Sequence, residues 1–438
     1  MQYSEEKYRK TLEGIFNRFP SVQKDGFSAG AYKPGLERMF AFDGLLGSPS
    51  KKVKFVHVAG TNGKGSVASM IAAGIAASGT RVGLYTSPHL RDFRERIKAV
   101  GSEGFEMISK EEVFNFLSEW RDTFERLDLS FFEITTGMAL WWFAKKKLDY
   151  AVIEVGLGGR LDSTNIIRPE LSVITSIGLD HCALLGNTRA EIAREKAGIF
   201  KRGVPALVGT RDSETACVFE KTAGESGAFL HFANDVPLPD ASEFDLGGPC
   251  QDENLRTACC ALNLLGIDCS SPQIAAALKR AAALTGLHGR WERLSLRPEI
   301  ICDIGHNPPA LANNFARLCR EKRPLVIVFG VMADKDISGI IPLMPGMGLN
   351  VAKNGVHYIF CTPDTPRALP AETLDKKFSQ ALDSVYGQGR AERILTHEFV
   401  GSVSEALSRA QGLSTPDSLI YIGGSTFVLS EIPDKFNQ

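Results

Sequence analysis

The segment Val58-Ala59-Gly60-Thr61-Asn62-Gly63-Lys64-Gly65-Ser66 lies between an apolar β-branched run and a small-residue helical pattern. Glycines in that position let backbone N–H groups close on phosphate oxygens, and a helix opening behind them directs partial positive charge to the same place. Lys64 would reach the outer phosphates, and the Ser66 hydroxyl would join a magnesium ion. Gly65, between Lys64 and Ser66, departs from the strict phosphate-loop pattern. The plainer alternative is an ordinary glycine-rich strand–helix turn. The lysine, the serine and the flanking elements together favour a nucleotide site.

Glu154 closes another apolar run and precedes Gly156-Leu157-Gly158-Gly159-Arg160-Leu161-Asp162. A carboxylate at the carboxyl end of a parallel strand sits where open α/β sheets bind ligands. Magnesium takes hard oxygen ligands, commonly one or two carboxylates with phosphate oxygens. A capping or turn carboxylate is the plainer reading. Residues 156–159 also invite a dinucleotide reading, but their spacing does not give Gly-x-Gly-x-x-Gly. A third group, Ser176-Ile177-Gly178-Leu179-Asp180-His181, follows another strand, with Arg194-Glu195-Lys196-Ala197-Gly198 on the next helix. A lone histidine or lysine is usually structural. Ser66, Glu154 and His181 would nevertheless converge on one edge if their strands are neighbours. Histidine is an uncommon magnesium ligand, and spacing alone assigns His181 no role. Finally, Cys302-Asp303-Ile304-Gly305-His306-Asn307-Pro308 follows a short strand. Asp303 and His306 could face a cleft there, or Asn307 could simply cap a helix. Asp334-Lys335-Asp336 reads as a solvated loop as readily as a site.

These residues need a scaffold of βαβ units, and the chain has that rhythm. The pattern predicts strands over residues 55–59, 81–86, 150–155, 171–177 and 205–208, and helices over 64–78, 110–126, 133–147 and 188–200. Residues 233–248 read as a long loop, followed by helices over 254–265 and 272–284. After the Gly286-Leu287-His288-Gly289-Arg290 turn a fresh series begins, with strands over 300–302, 325–329, 358–361 and 419–422. The expected boundary separates residues 1–289 from 290–438. No fixed-period repeat or low-complexity segment stands out.

With 438 residues, two or three domains are expected at roughly 150 residues each. Fifty basic and 51 acidic residues give a formal net charge of -1, with no basic block to support a nucleic-acid surface. Any anionic substrate must therefore be held by a local site. The most apolar stretch, residues 67–77, falls short of the roughly 18 residues of a membrane span. The N-terminus is charged from Glu5, unlike a secretory signal. Nine scattered cysteines without a Cys-x-x-Cys pair suit reduced thiols in a cytoplasmic protein.

Together these segments resemble the folylpolyglutamate synthase and dihydrofolate synthase family, a branch of the Mur ligases. The resemblance runs from Gly35-Leu36-Glu37-Arg38 to Gly423-Gly424-Ser425. Between them, in the family's order, lie the 60–66 loop, Thr86-Ser87-Pro88-His89-Leu90, Glu95-Arg96-Ile97, Phe132-Glu133, residues 154–162 and Asp180-His181. Glu195-Lys196-Ala197-Gly198, Gly289-Arg290, residues 303–308 and residues 329–336 follow. Cys250 stands where the family usually has histidine, Pro34 where it has leucine, His288 where it has proline, and Gly305 where alanine is common.

The resemblance implies a P-loop Mur-ligase-type ATPase domain with a parallel-rich sheet, then a C-terminal Rossmann-like α/β domain that helps hold glutamate, with the active site in the cleft between them. It implies an ATP- and Mg2+-dependent amide ligase adding L-glutamate to dihydropteroate or to the γ-carboxylate of tetrahydrofolate through an acyl phosphate. By position, Ser66, Glu154 and His181 match magnesium ligands for two ions, with Lys64, Lys196 and His181 as the catalytic set. Lys196 matches a lysine that some members carry as a carbamate. The 60–66 loop (Gly60, Thr61, Asn62, Gly63, Lys64, Gly65, Ser66), Asn254, Arg290 and Asp303 match ATP contacts. Asp303 and His306 lie on the glutamate side, and Pro88, Phe132, Leu161, Asp162 and Ser163 on the pterin side. A monomer binding only small molecules, with no nucleic acid or membrane partner, is expected. Three alternatives stay open: a P-loop NTPase doing conformational work, a dinucleotide-dependent oxidoreductase, and a peptidoglycan-type Mur ligase. Residues 86–90 and Phe132-Glu133 follow the folate branch.

Overall fold

A computed structural model describes residues 2–21, 26, 33–235, 244–248, 250–348, 355–387 and 395–433. The chain forms two units, Met1–Asp245 with Gln251–Leu287, and Leu246–Cys250 with His288–Gln438. Both are α/β, and both sheets are mostly parallel.

Eight strands build the first sheet: β1 (Lys54–Ala59), β2 (Val82–Tyr85), β3 (Ile97–Gly101), β4 (Gly104–Met107), β5 (Tyr150–Glu154), β6 (Leu171–Ile174), β7 (Pro205–Val208) and β8 (Phe229–Phe232). Their order is β4-β3-β2-β5-β1-β6-β7-β8. From β2 to β8 all pairs are parallel, and only β3 pairs antiparallel with its two neighbours. β1 lies in the middle and buries every residue after Lys54, as a strand covered on both faces must. Helix Lys64–Ala77 is buried on all sides from Gly65 to Ala76. Its small residues let other helices come close: a Cβ on Gly74 would stand 2.5 Å from Leu262 Cδ1.

Two expected helices are each broken, for identifiable reasons. Residues 110–126 form Lys110–Glu119 and Arg121–Arg126, separated at Trp120, whose ring packs edge-on to Phe42 at 6.1 Å. Residues 272–284 form Pro272–Lys279 and Ala281–Thr285, because Asp245 caps a fresh start by accepting from the amides of Ala282 (3.0 Å) and Ala283 (2.8 Å). The strand expected over 171–177 stops at Ile174, since Thr175 and Ser176 turn to the phosphate loop. The β3–β4 hairpin is an element the sequence pattern did not show. Of the loop expected over 233–248, residues 236–243 lie outside the described residues, and Ala233–Asp235 is a short 3-10 turn.

The second sheet contains β9 (Glu292–Leu296), β10 (Glu299–Asp303), β11 (Leu325–Phe329), β12 (Val356–Phe360), β13 (Leu395–Phe399) and β14 (Leu419–Gly423), in the order β13-β12-β11-β14-β10-β9. Only β9 runs antiparallel to its neighbour. Its core includes Phe315, Phe329, Tyr358, Phe360, Phe378 and Tyr421. No described helix is long and apolar enough to cross a membrane.

Candidate active site

The strand order brings three exits together. β1 lies between β5 and β6, with Val58 opposite Glu154 and Ala59 opposite Ile174. The 60–66 loop, Glu154 and the 175–181 segment therefore leave neighbouring strands at one edge of the sheet, where open α/β sheets hold ligands.

The loop is clamped from both sides. Thr175 Oγ1 donates to Asn62 O at 2.6 Å, and a Cβ on Gly60 (φ +152°) would collide with the Thr175 hydroxyl. Thr61 N donates to Ser176 O (2.7 Å), and Thr61 Oγ1 both donates to Gly178 O (3.1 Å) and accepts from Gly178 N (3.0 Å). Gly63 adopts φ +84°, and a Cβ there would overlap Asn254 Oδ1. Asn254 in turn donates to Gln251 Oε1 at 3.0 Å, and Gln251 Nε2 reaches Ser66 Oγ at 3.4 Å. No side chain caps helix Lys64–Ala77, so its leading N–H groups remain for an anion.

Two lysines meet this loop. Lys64 Nζ folds back onto Gly60 O and Thr61 O, both at 3.1 Å, and Lys196 Nζ donates to Gly60 O at 2.8 Å. Lys196 is 4% exposed. Burial first, and then the charge of Lys64, lower its pKa to about 7, while Asp180 and Asp162 pull the other way. Glu154 is buried, and its Oε2 accepts from Ser87 N at 2.9 Å, ahead of the exposed Pro88. Buried Arg96 donates to His89 Nδ1 at 2.8 Å. Burial works against its charge, and Tyr85, Glu154 and Glu95 work for it. His181, at φ +54°, donates its backbone N–H to Asp180 Oδ1 at 3.0 Å and holds Nε2 3.7 Å from Asp180 Oδ2.

Beyond Glu154 the chain turns tightly. A Cβ on Gly156 would run into the Phe132 ring, and one on Gly159 would stand 2.8 Å from Lys196 O. Phe132 lies 6.0 Å from Tyr85, ring to ring. Asp162 is buried, which raises its pKa, and both its oxygens serve the turn: Oδ2 accepts from Leu157 N (2.8 Å) and Oδ1 from Thr164 N (3.0 Å). Leu161 and Ser163 flank it. The turn enters a 3-10 segment, Ser163–Ile166, so the dinucleotide reading lacks the helix N-terminus a pyrophosphate needs.

The other expected residues belong to the second unit. Asp303 ends β10, and its oxygens accept from Trp291 N (2.9 Å), Gly305 N (2.7 Å) and Asn314 Nδ2 (2.7 Å). Desolvation raises its pKa, and the charge of Arg290 opposes that. His306 Nδ1 lies 3.0 Å from Ile304 O; a carbonyl only accepts, so the ring proton sits on Nδ1. Asn307 does cap helix Pro308–Leu318, accepting from Ala310 N at 3.0 Å. Asp334 pairs with Arg367 at 2.9 Å, and Asp336 caps Ile337–Ile340.

Thr175, Ser87 and Arg96 carried no role in the sequence reading. Ser87 and Arg96 stand inside the 86–90 and 95–97 motifs, which was their available signal. Thr175 had none, because what it touches is 113 residues away. Among the described residues no group of three or more His, Cys, Asp or Glu forms a metal cage. Ser66 and Glu154 nonetheless supply hard oxygens of the type magnesium takes when phosphate oxygens and water complete its shell. The residues present fit that ion.

Residues 58–235 match the Mur ligase middle domain, and residues 289–426 the Mur ligase glutamate ligase domain. The folylpolyglutamate synthase of Lacticaseibacillus casei is 32% identical over 454 residues, spanning 97% of this chain and 97% of that one. The Escherichia coli FolC structure in complex with DHPP and ADP is similar with a TM-score of 0.79 and 28% identity, over 97% of this chain and 96% of that one. The Yersinia pestis bifunctional folylpolyglutamate synthase/dihydrofolate synthase, complexed with AMPPNP and Mn ion, has a TM-score of 0.76 at 26% identity, over 98% of each chain. The chain thus carries both Mur ligase domains in order, with this phosphate loop in the first, and its relatives match it along nearly its whole length: the chain belongs to the folylpolyglutamate synthase/dihydrofolate synthase family.

Proposed function

We propose that this chain is an ATP-dependent amide ligase that adds L-glutamate to dihydropteroate, to the γ-carboxylate of tetrahydrofolate, or to both, releasing ADP and phosphate. The observation that carries the reading is the convergence of the 60–66 loop, Lys64, Lys196 and Glu154 on one sheet edge, in a chain matched end to end by a folylpolyglutamate synthase. The related structures hold ADP, or AMPPNP with manganese, which supports a nucleotide with a divalent ion here.

A carboxylate is a poor acylating agent because its leaving group would be an oxide. Transfer of the γ-phosphoryl group gives an acyl phosphate, and the α-amine of glutamate then attacks it, forming the amide and releasing phosphate and a proton. The protein's share of phosphoryl transfer is positioning and charge compensation. Lys64 leaves its two loop carbonyls for the phosphates, and the open N–H groups of helix Lys64–Ala77 face them. Ser66 and Glu154 would hold one magnesium ion, and His181 with a carbamylated Lys196 a second. Such an ion offsets phosphate charge when bound. A buried lysine with a pKa of about 7 is uncharged in about half of the molecules at neutral pH, far more than an ordinary lysine, and the neutral amine is the form that adds carbon dioxide. Arg290 and Asp303 would contact ATP, Asp303 and His306 glutamate, and Pro88, Phe132, Leu161, Asp162 and Ser163 the pterin. Among the described residues none of the nine cysteines is in a disulfide, in keeping with a cytoplasmic enzyme, which we take to be a monomer.

The test is phosphate release from ATP with magnesium and glutamate, comparing dihydropteroate with tetrahydrofolate and weighing the products. A product one glutamate heavier from both acceptors means a bifunctional synthase; from one alone, a specialised one. ATP hydrolysis with no adduct from either acceptor overturns the reading.

A further inference from the structure

His57 is the one polar residue in the buried run of β1, between Val56 and Val58, and it is 0% exposed. Its Nε2 lies 2.8 Å from Thr164 Oγ1, and Thr164 Oγ1 makes a short hydrogen bond to Asp162 Oδ1. These bonds have one consistent polarity. The amides of Leu157 and Thr164 already aim at the Asp162 carboxylate, and the threonine hydroxyl's single proton goes there too. Thr164 Oγ1 must then accept from His57, which places the imidazole proton on Nε2 and leaves Nδ1 a lone pair. Nδ1 has no partner among the described residues. The reverse polarity would bury an unpaired N–H at that atom, and orphaned donors are the rarer case. Burial lowers the His57 pKa to about 3, so the neutral donor persists across the physiological range.

We infer that His57 is a positioning residue that acts through Thr164 to fix the Asp162 carboxylate, and with it the 156–163 turn, in the shape that receives the pterin-bearing acceptor. The inference rests on the proposed assignment of Leu161, Asp162 and Ser163 to the acceptor side. It goes beyond that assignment in naming what holds the turn: an imidazole on the strand that runs on into the phosphate loop. Without the imidazole donor, Thr164 Oγ1 loses what holds it in place and is free to rotate away from Asp162, and the carboxylate then loses the hydroxyl and keeps only the amides of Gly156, Leu157 and Thr164.

The experiment measures KM for ATP and for the acceptor separately, with kcat, in His57→Leu, His57→Gln and Thr164→Val. His57→Leu and Thr164→Val are expected to raise the acceptor KM by about tenfold while the ATP KM stays within about twofold. His57→Gln, which keeps an amide donor, should recover most of the loss. Should His57→Leu fail to fold, Thr164→Val reads the same chain of bonds. An unchanged acceptor KM, or ATP and acceptor values rising together as in general destabilisation, overturns the inference. Asp162→Asn separates it from the reading beneath. If that variant leaves the acceptor KM unchanged, the turn does not bind the acceptor. If it raises the KM while the His57 and Thr164 variants do not, the positioning role alone fails.

Discussion

Two lysines share one carbonyl oxygen at the candidate site, and they stand in different electrostatic situations. Lys64 is partly open to solvent and poised to exchange Gly60 O and Thr61 O for phosphate. Lys64→Ala and Glu154→Ala should each lower amide formation by roughly a thousandfold or more, with circular dichroism and melting unchanged. Near-normal ligation by either soluble variant removes the mechanism. Lys196 is sealed in, and its pKa of about 7 lies below the roughly 10.4 of an unfolded lysine. The unfolded chain therefore binds the extra proton between those values. The stability cost of this lysine is full below about pH 7 and fades as pH rises toward 10. In bicarbonate-free buffer, Lys196→Met should raise the urea midpoint more at pH 6 than at pH 9 while abolishing ligation. A larger gain at pH 9 would contradict the lowered pKa. Depleting bicarbonate should depress wild-type activity, and acetate should partly restore a Lys196→Ala enzyme; failure of both counts against a carbamate.

At the scale of elements, caps decide where the site's side chains end up. Helix Phe131–Lys145 starts with a capping box in which Ser130 Oγ accepts from Glu133 N (3.3 Å) and Glu133 Oε2 accepts from Ser130 N (2.7 Å). Arg38 Nε donates to the other Glu133 oxygen at 2.9 Å. That first turn carries Phe132 onto Gly156. Ser130→Ala should cost about 1 kcal/mol, read as a lower urea midpoint, and should raise the acceptor KM more than the ATP KM. Equal effects on both would mean Phe132 does not serve the acceptor. The periodicity of these helices was legible, but their breaks were not. Trp120 ends one helix because its ring joins the aromatic cluster of Phe42, Phe116 and Phe124, and Asp245 restarts another from 37 residues away. A residue window sees neither.

At the scale of the molecule, each unit has its own sheet and core, and the phosphate loop belongs wholly to the first. Trp120, Trp141 and Trp142 report on that unit, and Trp291 on the second. ADP with magnesium at a hundredfold excess over its Kd should add about 2.7 kcal/mol to the stability of the folded chain. The gain appears as a higher melting temperature by tryptophan fluorescence, and Lys64→Ala should lose most of it. A Lys64→Ala protein that keeps the full shift would place the nucleotide elsewhere.

The sequence by itself determined the phosphate loop, the central strands, both α/β series and the family, because each is written within a few consecutive residues. Glycines at forced backbone angles, a lysine at the first position of a helix and β-branched runs are local facts. Only the tertiary structure decided which distant groups share a site. Placing β5 beside β1, out of chain order, set Glu154 next to the loop, and packing of helix Arg189–Ala197 brought Lys196 onto Gly60 O from 136 residues away. It also turned Asp162 inward, where its carboxylate accepts from the amides of Leu157 and Thr164 and holds the 156–163 turn. Such contacts depend on strand order and on side chains competing for the same buried donors, and those follow from packing the whole chain.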